Sequence, residues 1–165
     1  MTSDGKPDAT PEPSPARVVA DADVLAADLL VGKSAREALD HLRAHSWTTL
    51  VASDHLLDDA EAVVAELGGS DLAAGWRGRV SAWREPVDHP PGDHPALASA
   101  YRGSAMHVLS FDDRLQSAGT GAALRGRVET SVKHPRAFAR LFDPESLYEA
   151  VEDGEYTGPD RDPRA

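Results

Sequence analysis

Acidic side chains stand at several points where the chain changes character, and their placement points to metal chemistry. "RVVADAD" sets Asp21 and Asp23 just beyond an apolar run. "HVLSFDD" sets Asp112 and Asp113 just beyond another. Asp93 opens a short helical pattern, and Asp58, Asp59 and Glu61 follow "TTLVAS" within the first turns of a longer one. Carboxylates drawn together repel, and either take up protons or bind a cation. Oxygen donors without thiolates suit Mg²⁺ or Mn²⁺. A pair of such ions is a common device for phosphodiester hydrolysis, one activating water and the other steadying the leaving oxygen. The plain alternative for each residue is helix capping, because Asp often ends a strand and starts a helix.

The elements that must position these acids are legible from the hydrophobic pattern. Strands are expected at 17–20, 48–53, 105–110 and 128–133. Helical patterns cover 24–30, 34–44, 53–69, roughly 70–83, 95–102, and two proline-led stretches, "HPRAFARLF" and "DPESLYEAV". Ser34 with Glu37 makes a capping-box pattern, and Ser53 is a cap candidate. "EPVDHPPGDHP" reads as a loop. Short apolar strands alternating with helices imply an α/β fold with a mostly parallel sheet, whose ligands sit beyond the carboxyl ends of the strands.

Composition bounds the rest. The 165 residues suffice for one domain. Residues 1–16 and 153–165 are expected to be disordered tails around a domain at 17–152. No apolar run could span a bilayer, the N-terminus has no secretory pattern, and there is no cysteine, so a cytoplasmic location is the default expectation. The net charge of −11 arises from 18 Asp and 10 Glu against 14 Arg and 3 Lys. Abundant Asp and scarce Lys look like halophilic adaptation, where surface acidity serves solubility. Strong salt also weakens phosphate contacts, though a local basic patch could still bind nucleic acid.

The ordered series of motifs resembles the PIN domain, a family of metal-dependent nucleases that includes toxin ribonucleases. "VVADADVL" resembles its opening strand and Asp-Thr-Asn-Val-Leu, with Asp23 where Asn is usual. "VASDHLLDDAEAVV" resembles its Ser-x-x-Leu-Leu-x-Glu segment, with Asp59 in place of Glu. "DHPALASA" and "AYRGSAMHVLSFDDRL" resemble the later acidic motifs, and "VETSVKHPRAFARLF" the last strand and its helix.

The resemblance implies a three-layer α/β/α sandwich and a catalytic set of Asp21, Asp59, Asp93 and Asp112. Asp21, Asp93 and Asp112 would hold Mg²⁺ or Mn²⁺, with Asp23 and Ser110 in support. Asp58 or Glu61 could stand in for Asp59, whose reach is one methylene short. RNA is the implied substrate, and an antitoxin-like protein and a homodimer are the implied partners. Asp113 is read as a solvent or capping residue.

Other readings remain open. A PIN-like module could bind RNA or protein without cutting. A haloacid-dehalogenase-like phosphatase would use Asp21 as nucleophile and Ser53 in its second motif, but Leu25 occupies its Thr/Val place and no lysine lies between Ser53 and Asp112. A receiver domain would need Lys133 followed directly by proline. In "WRGRVSAWR" the spacing of Trp76, Val80 and Trp83 fits a buried helix face with Arg77, Arg79 and Arg84 outside; the functional alternative is contact with phosphates or bases. No zinc site is expected from the histidines. His89, His94 and His134 flank prolines, and His107 reads as core.

Overall fold

The computed structural model describes residues 13–88, 94–115 and 130–164. Five strands form one sheet: β1 (Ser14–Ala20), β2 (Thr49–Ser53), β3 (Glu85–Val87), β4 (Ala105–Leu109) and β5 (Ser131–Lys133). All pairings are parallel, in the order β3-β2-β1-β4-β5. The helices are α1 (Ala22–Leu30), α2 (Lys33–Arg43), α3 (Asp54–Gly68), α4 (Ser70–Trp83), α5 (Pro95–Gly103), α6 (Pro135–Leu141) and α7 (Pro144–Val151). The expected α/β architecture is what forms, a parallel sheet between helical layers.

Topology explains the layering. The crossovers from β1 to β2 and from β2 to β3 run one way along the sheet, and β3 to β4 runs back. Right-handed connections therefore place α1 to α4 on one side and α5 on the other. Gly103 at the end of α5 packs so tightly on Val51 of β2 that a Cβ there would collide with it. The core is aliphatic, with Val18, Val19, Leu25, Leu39, Leu50, Leu56, Leu57 and Leu109 essentially fully buried. Burying each such side chain contributes about 1.5–3 kcal/mol relative to leaving it exposed. Among the described residues, no helix is long and apolar enough to cross a membrane.

Four sequence expectations need correction. β1 begins at Ser14, so the end of the expected N-terminal tail belongs to the sheet. Glu85–Val87 is a strand rather than loop. Among the described residues it pairs only with β2, and an edge position tolerates Pro86, which lacks an N–H to donate. The Ser34–Glu37 capping box does not form; α2 starts one residue earlier, with Gly32 at the N-cap and no side-chain capping bond.

The fourth concerns residues 153–164, expected to be a disordered tail, which instead lie along α2. Tyr156 Oη meets His45 Nε2 at 2.7 Å, Asp160 accepts bonds from Ser46, and Arg161 donates to the carbonyls of Leu42 and His45. Residues 1–12, 89–93, 116–129 and 165, which include most of the expected N-terminal tail and the start of the expected strand at 128–133, lie outside the described residues.

Candidate functional site

β1 sits at the centre of the sheet and hands the chain towards β2, whereas its other neighbour, β4, hands it towards β5. Such a divergence opens a crevice at the carboxyl ends of the two strands. The last paired residues there are Ala20 and Leu109. Asp21 and Ser110 come next, and their positions are fixed by backbone: Asp21 N–H donates to Leu109 O at 2.8 Å, and Ser110 N–H to Lys133 O at 3.0 Å.

Asp21 is buried and serves as the N-cap of α1, its Oδ1 accepting the Ala22 N–H at 2.8 Å. The helix N-terminus favours its negative charge. Its other oxygen accepts a 2.9 Å bond from the fully buried Ser110 hydroxyl. The Ser110 oxygen in turn accepts the Asp112 N–H at 3.0 Å. One hydroxyl thus ties the acid after β1 to the acid after β4.

Asp23 lies one residue into the first turn of α1. Its Oδ2 accepts the Phe111 N–H at 3.2 Å, while its Oδ1 is buried with no hydrogen-bond partner among the described residues. Burial and then the Asp21 charge push the Asp23 carboxyl up to about 6, against the pull of the Phe111 and Val24 N–H groups; Asp112 adds a smaller upward push. Around Asp21 and Asp23 the crevice is therefore short of positive charge, with Arg114 Nε 4.0 Å from Asp112 at its exposed side, and a cation entering between those two acids would be stabilised. Asp112 is exposed, with Oδ1 accepting the Arg114 N–H at 2.9 Å. Phe111 stands between the acids with its ring edge-on to His134 at 5.1 Å.

The structure thus brings together Asp21, Asp23, Ser110 and Asp112. Asp93 lies outside the described residues. Asp59 is exposed on α3, with His55 on its own helix as its ion-pair neighbour at 3.9 Å. Asp58 and Glu61, the alternatives to it, are held by Arg77 at 2.7 and 2.8 Å. Among the described residues, no three His, Cys, Asp or Glu side chains stand close enough together to hold an ion. Ser53, which a phosphatase would use to bind phosphate, caps α3 by accepting the Leu56 N–H. Asp113 is exposed and begins the helical residues 113–115 that follow Asp112.

Several polar roles fell outside the sequence reading. Arg77 and Arg84 lie outside the α4 core face, as expected, but they neutralise Asp54, Asp58 and Glu61 rather than face solvent alone. His94 and His134 cap α5 and α6 through Nδ1. His107 is packed edge-on to Phe138 and kept neutral to about pH 4 by burial, with Lys133 adding to the effect. A His or Asp just before a Pro-led helix was the available signal for the caps; nothing local marked the arginine partners, which come from another helix.

The donor set fits Mg²⁺ or Mn²⁺ in type. It is all oxygen: the Asp21 carboxylate is bonded to the Ser110 hydroxyl, which also accepts the Asp112 backbone N–H, and a buried Asp23 oxygen lacks a partner among the described residues. No curated protein and no solved structure matches this chain. A family model matches residues 12–164, nearly the whole sequence, and the protein therefore belongs to DUF7384, a family of unknown function.

Proposed function

We propose that this protein is a PIN-like, divalent-metal-dependent nuclease that hydrolyses RNA phosphodiester bonds at the β1–β4 crevice. One observation carries the reading: the Ser110 hydroxyl links the Asp21 carboxylate to the Asp112 backbone at the switch point of the sheet. Asp21 and Asp112 would hold Mg²⁺ or Mn²⁺, with Asp93 as the further acid that the PIN resemblance implies. A bound ion would supply Lewis-acid activation of water and of the phosphoryl group. Ser110 holds the Asp21 carboxylate in one rotamer. Asp23, which carries a proton up to about pH 6 without an ion, gives it up when a cation arrives.

A second reading, a PIN-like fold that binds RNA or protein without cutting, is favoured by the position of Asp59. That acid sits on an exposed turn of α3 with its own helix neighbour.

Calorimetric titration with Mn²⁺, run beside cleavage of an end-labelled RNA oligonucleotide, separates the outcomes. The nuclease reading expects binding and cleavage, both lost in Asp21→Asn and Asp112→Asn. Binding without cleavage selects the second reading. Failure to bind Mn²⁺ removes the metal site altogether.

A further inference from the structure

Away from the acidic crevice, a pocket of about 610 Å³ opens between α1, α2, α4 and the C-terminal segment, lined by five arginines and two aspartates. This concentration of guanidinium groups is unexpected in a chain of net charge −11. The ion pairs show which of them are neutralised. Arg43 is bound to Asp28 and Asp40, and Arg164 to Asp40. Arg36 donates instead to the carbonyls of Asp28 and Leu29, and Arg161 to those of Leu42 and His45. Arg79 is exposed and has no ion-pair partner among the described residues.

Carbonyl partners satisfy N–H groups but leave the guanidinium charge. The bland account is that Arg36 and Arg161 cap the C-termini of α1 and α2. Each helix end offers only about half a negative charge, so the two together offset about one. Asp162 at the rim, its side chain turned to the Arg164 N–H, offsets another. Asp160 offsets part of the Arg161 charge from outside the pocket, so the positive charge that remains is chiefly that of Arg79, which has no acid partner among the described residues.

The opposite wall is apolar except for Arg79, which α4 carries between Trp76 and Trp83. Trp76 and Val80 are buried there, beside Leu25 and Leu29 of α1. Trp83 presents its ring to the same space, with the Arg43 guanidinium 4.9 Å from its centroid. A ligand that uses both walls needs an anionic head and a flat, largely apolar body.

We propose that this pocket binds an organic phosphate, specifically a nucleoside monophosphate, with the phosphate on Arg36, Arg79 and Arg161 and the base against the tryptophan wall. Guanidinium groups suit phosphate because their planar N–H fork can donate two bonds to it. The proposal is independent of the nuclease reading. None of the residues invoked belongs to the crevice, and no metal ion is needed.

The test uses the full chain in EDTA, which removes any ion from the crevice, with adenosine 5′-monophosphate titrated by calorimetry and tryptophan fluorescence. Saturable binding is expected, at least about tenfold tighter than either adenosine or inorganic phosphate alone, because head and body each contribute. Arg36→Gln and Arg161→Gln should each weaken it about tenfold. Both arginines also cap helices, so circular dichroism melts must accompany them. Arg79→Gln touches no structural partner, should leave the melt unchanged, and should weaken binding about threefold or more. The proposal is overturned if the nucleotide fails to saturate by about 10 mM, if adenosine binds as well as its phosphate, or if Arg79→Gln and Arg161→Gln both bind as the parent does.

Discussion

Two clusters of carboxylates begin in the same way, with an aspartate at the end of a strand and more within the next helical turns, yet they are treated oppositely. After β2, Asp54, Asp58 and Glu61 are met by Arg77 of α4 and Arg84 at its C-terminal cap, with Asp54 and Arg84 2.5 Å apart. After β1, Asp21 and Asp23 meet no arginine or lysine among the described residues; their partners there are backbone N–H groups and one serine hydroxyl. The first cluster is a helix-to-helix clasp with its charge cancelled. The second keeps its charge, and one of its members is driven towards protonation. Neutralisation by a neighbouring helix separates a structural acid from one available to a ligand.

The contrast can be broken most sharply by activity. Asp21→Asn should lower Mn²⁺-dependent RNA cleavage at least about hundredfold, whereas Asp58→Asn should change it less than about twofold. Stability should divide the clusters next. Ser110→Ala strands the Asp21 carboxylate and the Asp112 N–H together and should cost about 2 kcal/mol in urea unfolding. Arg77→Met, in the exposed cluster, should cost no more than about 1 kcal/mol, and less as salt is raised.

A smaller effect depends on pH. In the absence of divalent ions, Asp23 holds its proton to about pH 6 in the folded chain but only to about 3.8 when unfolded. Stability therefore falls as pH rises through that window, and above it the full penalty is present. Asp23→Asn removes the charge, so it should raise the melting point at pH 7 by the equivalent of about 1 kcal/mol, discounted for partial exposure, and do nothing near pH 3.5. Added Mn²⁺ should shrink this advantage. A stability difference between Asp23→Asn and the parent that is the same at pH 3.5 and pH 7 would mean that the crevice carries no excess negative charge.

The sheet, the helices and the β1–β4 acids were legible because each rests on local pattern. Strands such as "TTLVAS" are β-branched and apolar, and Ser53 caps the helix its position announces. The edge strand at Glu85–Val87 was not legible, because three residues with a central proline carry no alternation to detect. The fate of Asp58 and Glu61 was hidden for another reason. Arg77 reaches them across the α3–α4 pair, and a spacing rule for one helix says nothing about which residues a second helix brings over. Residues 153–164 misled by composition. They offer few apolar groups, and what fastens them is a series of polar bonds to the end of α2, which hydropathy does not register.

That fastening has a practical consequence for anyone shortening the chain. Stopping after α7 would deprive His45 of the phenol that closes its Nε2 and return the Leu42 and His45 carbonyls to water. It would also dismantle one side of the arginine-lined pocket. A version trimmed at 152 to aid crystallisation would be a different, looser molecule, whereas an appendage added beyond Arg164 would leave these bonds in place.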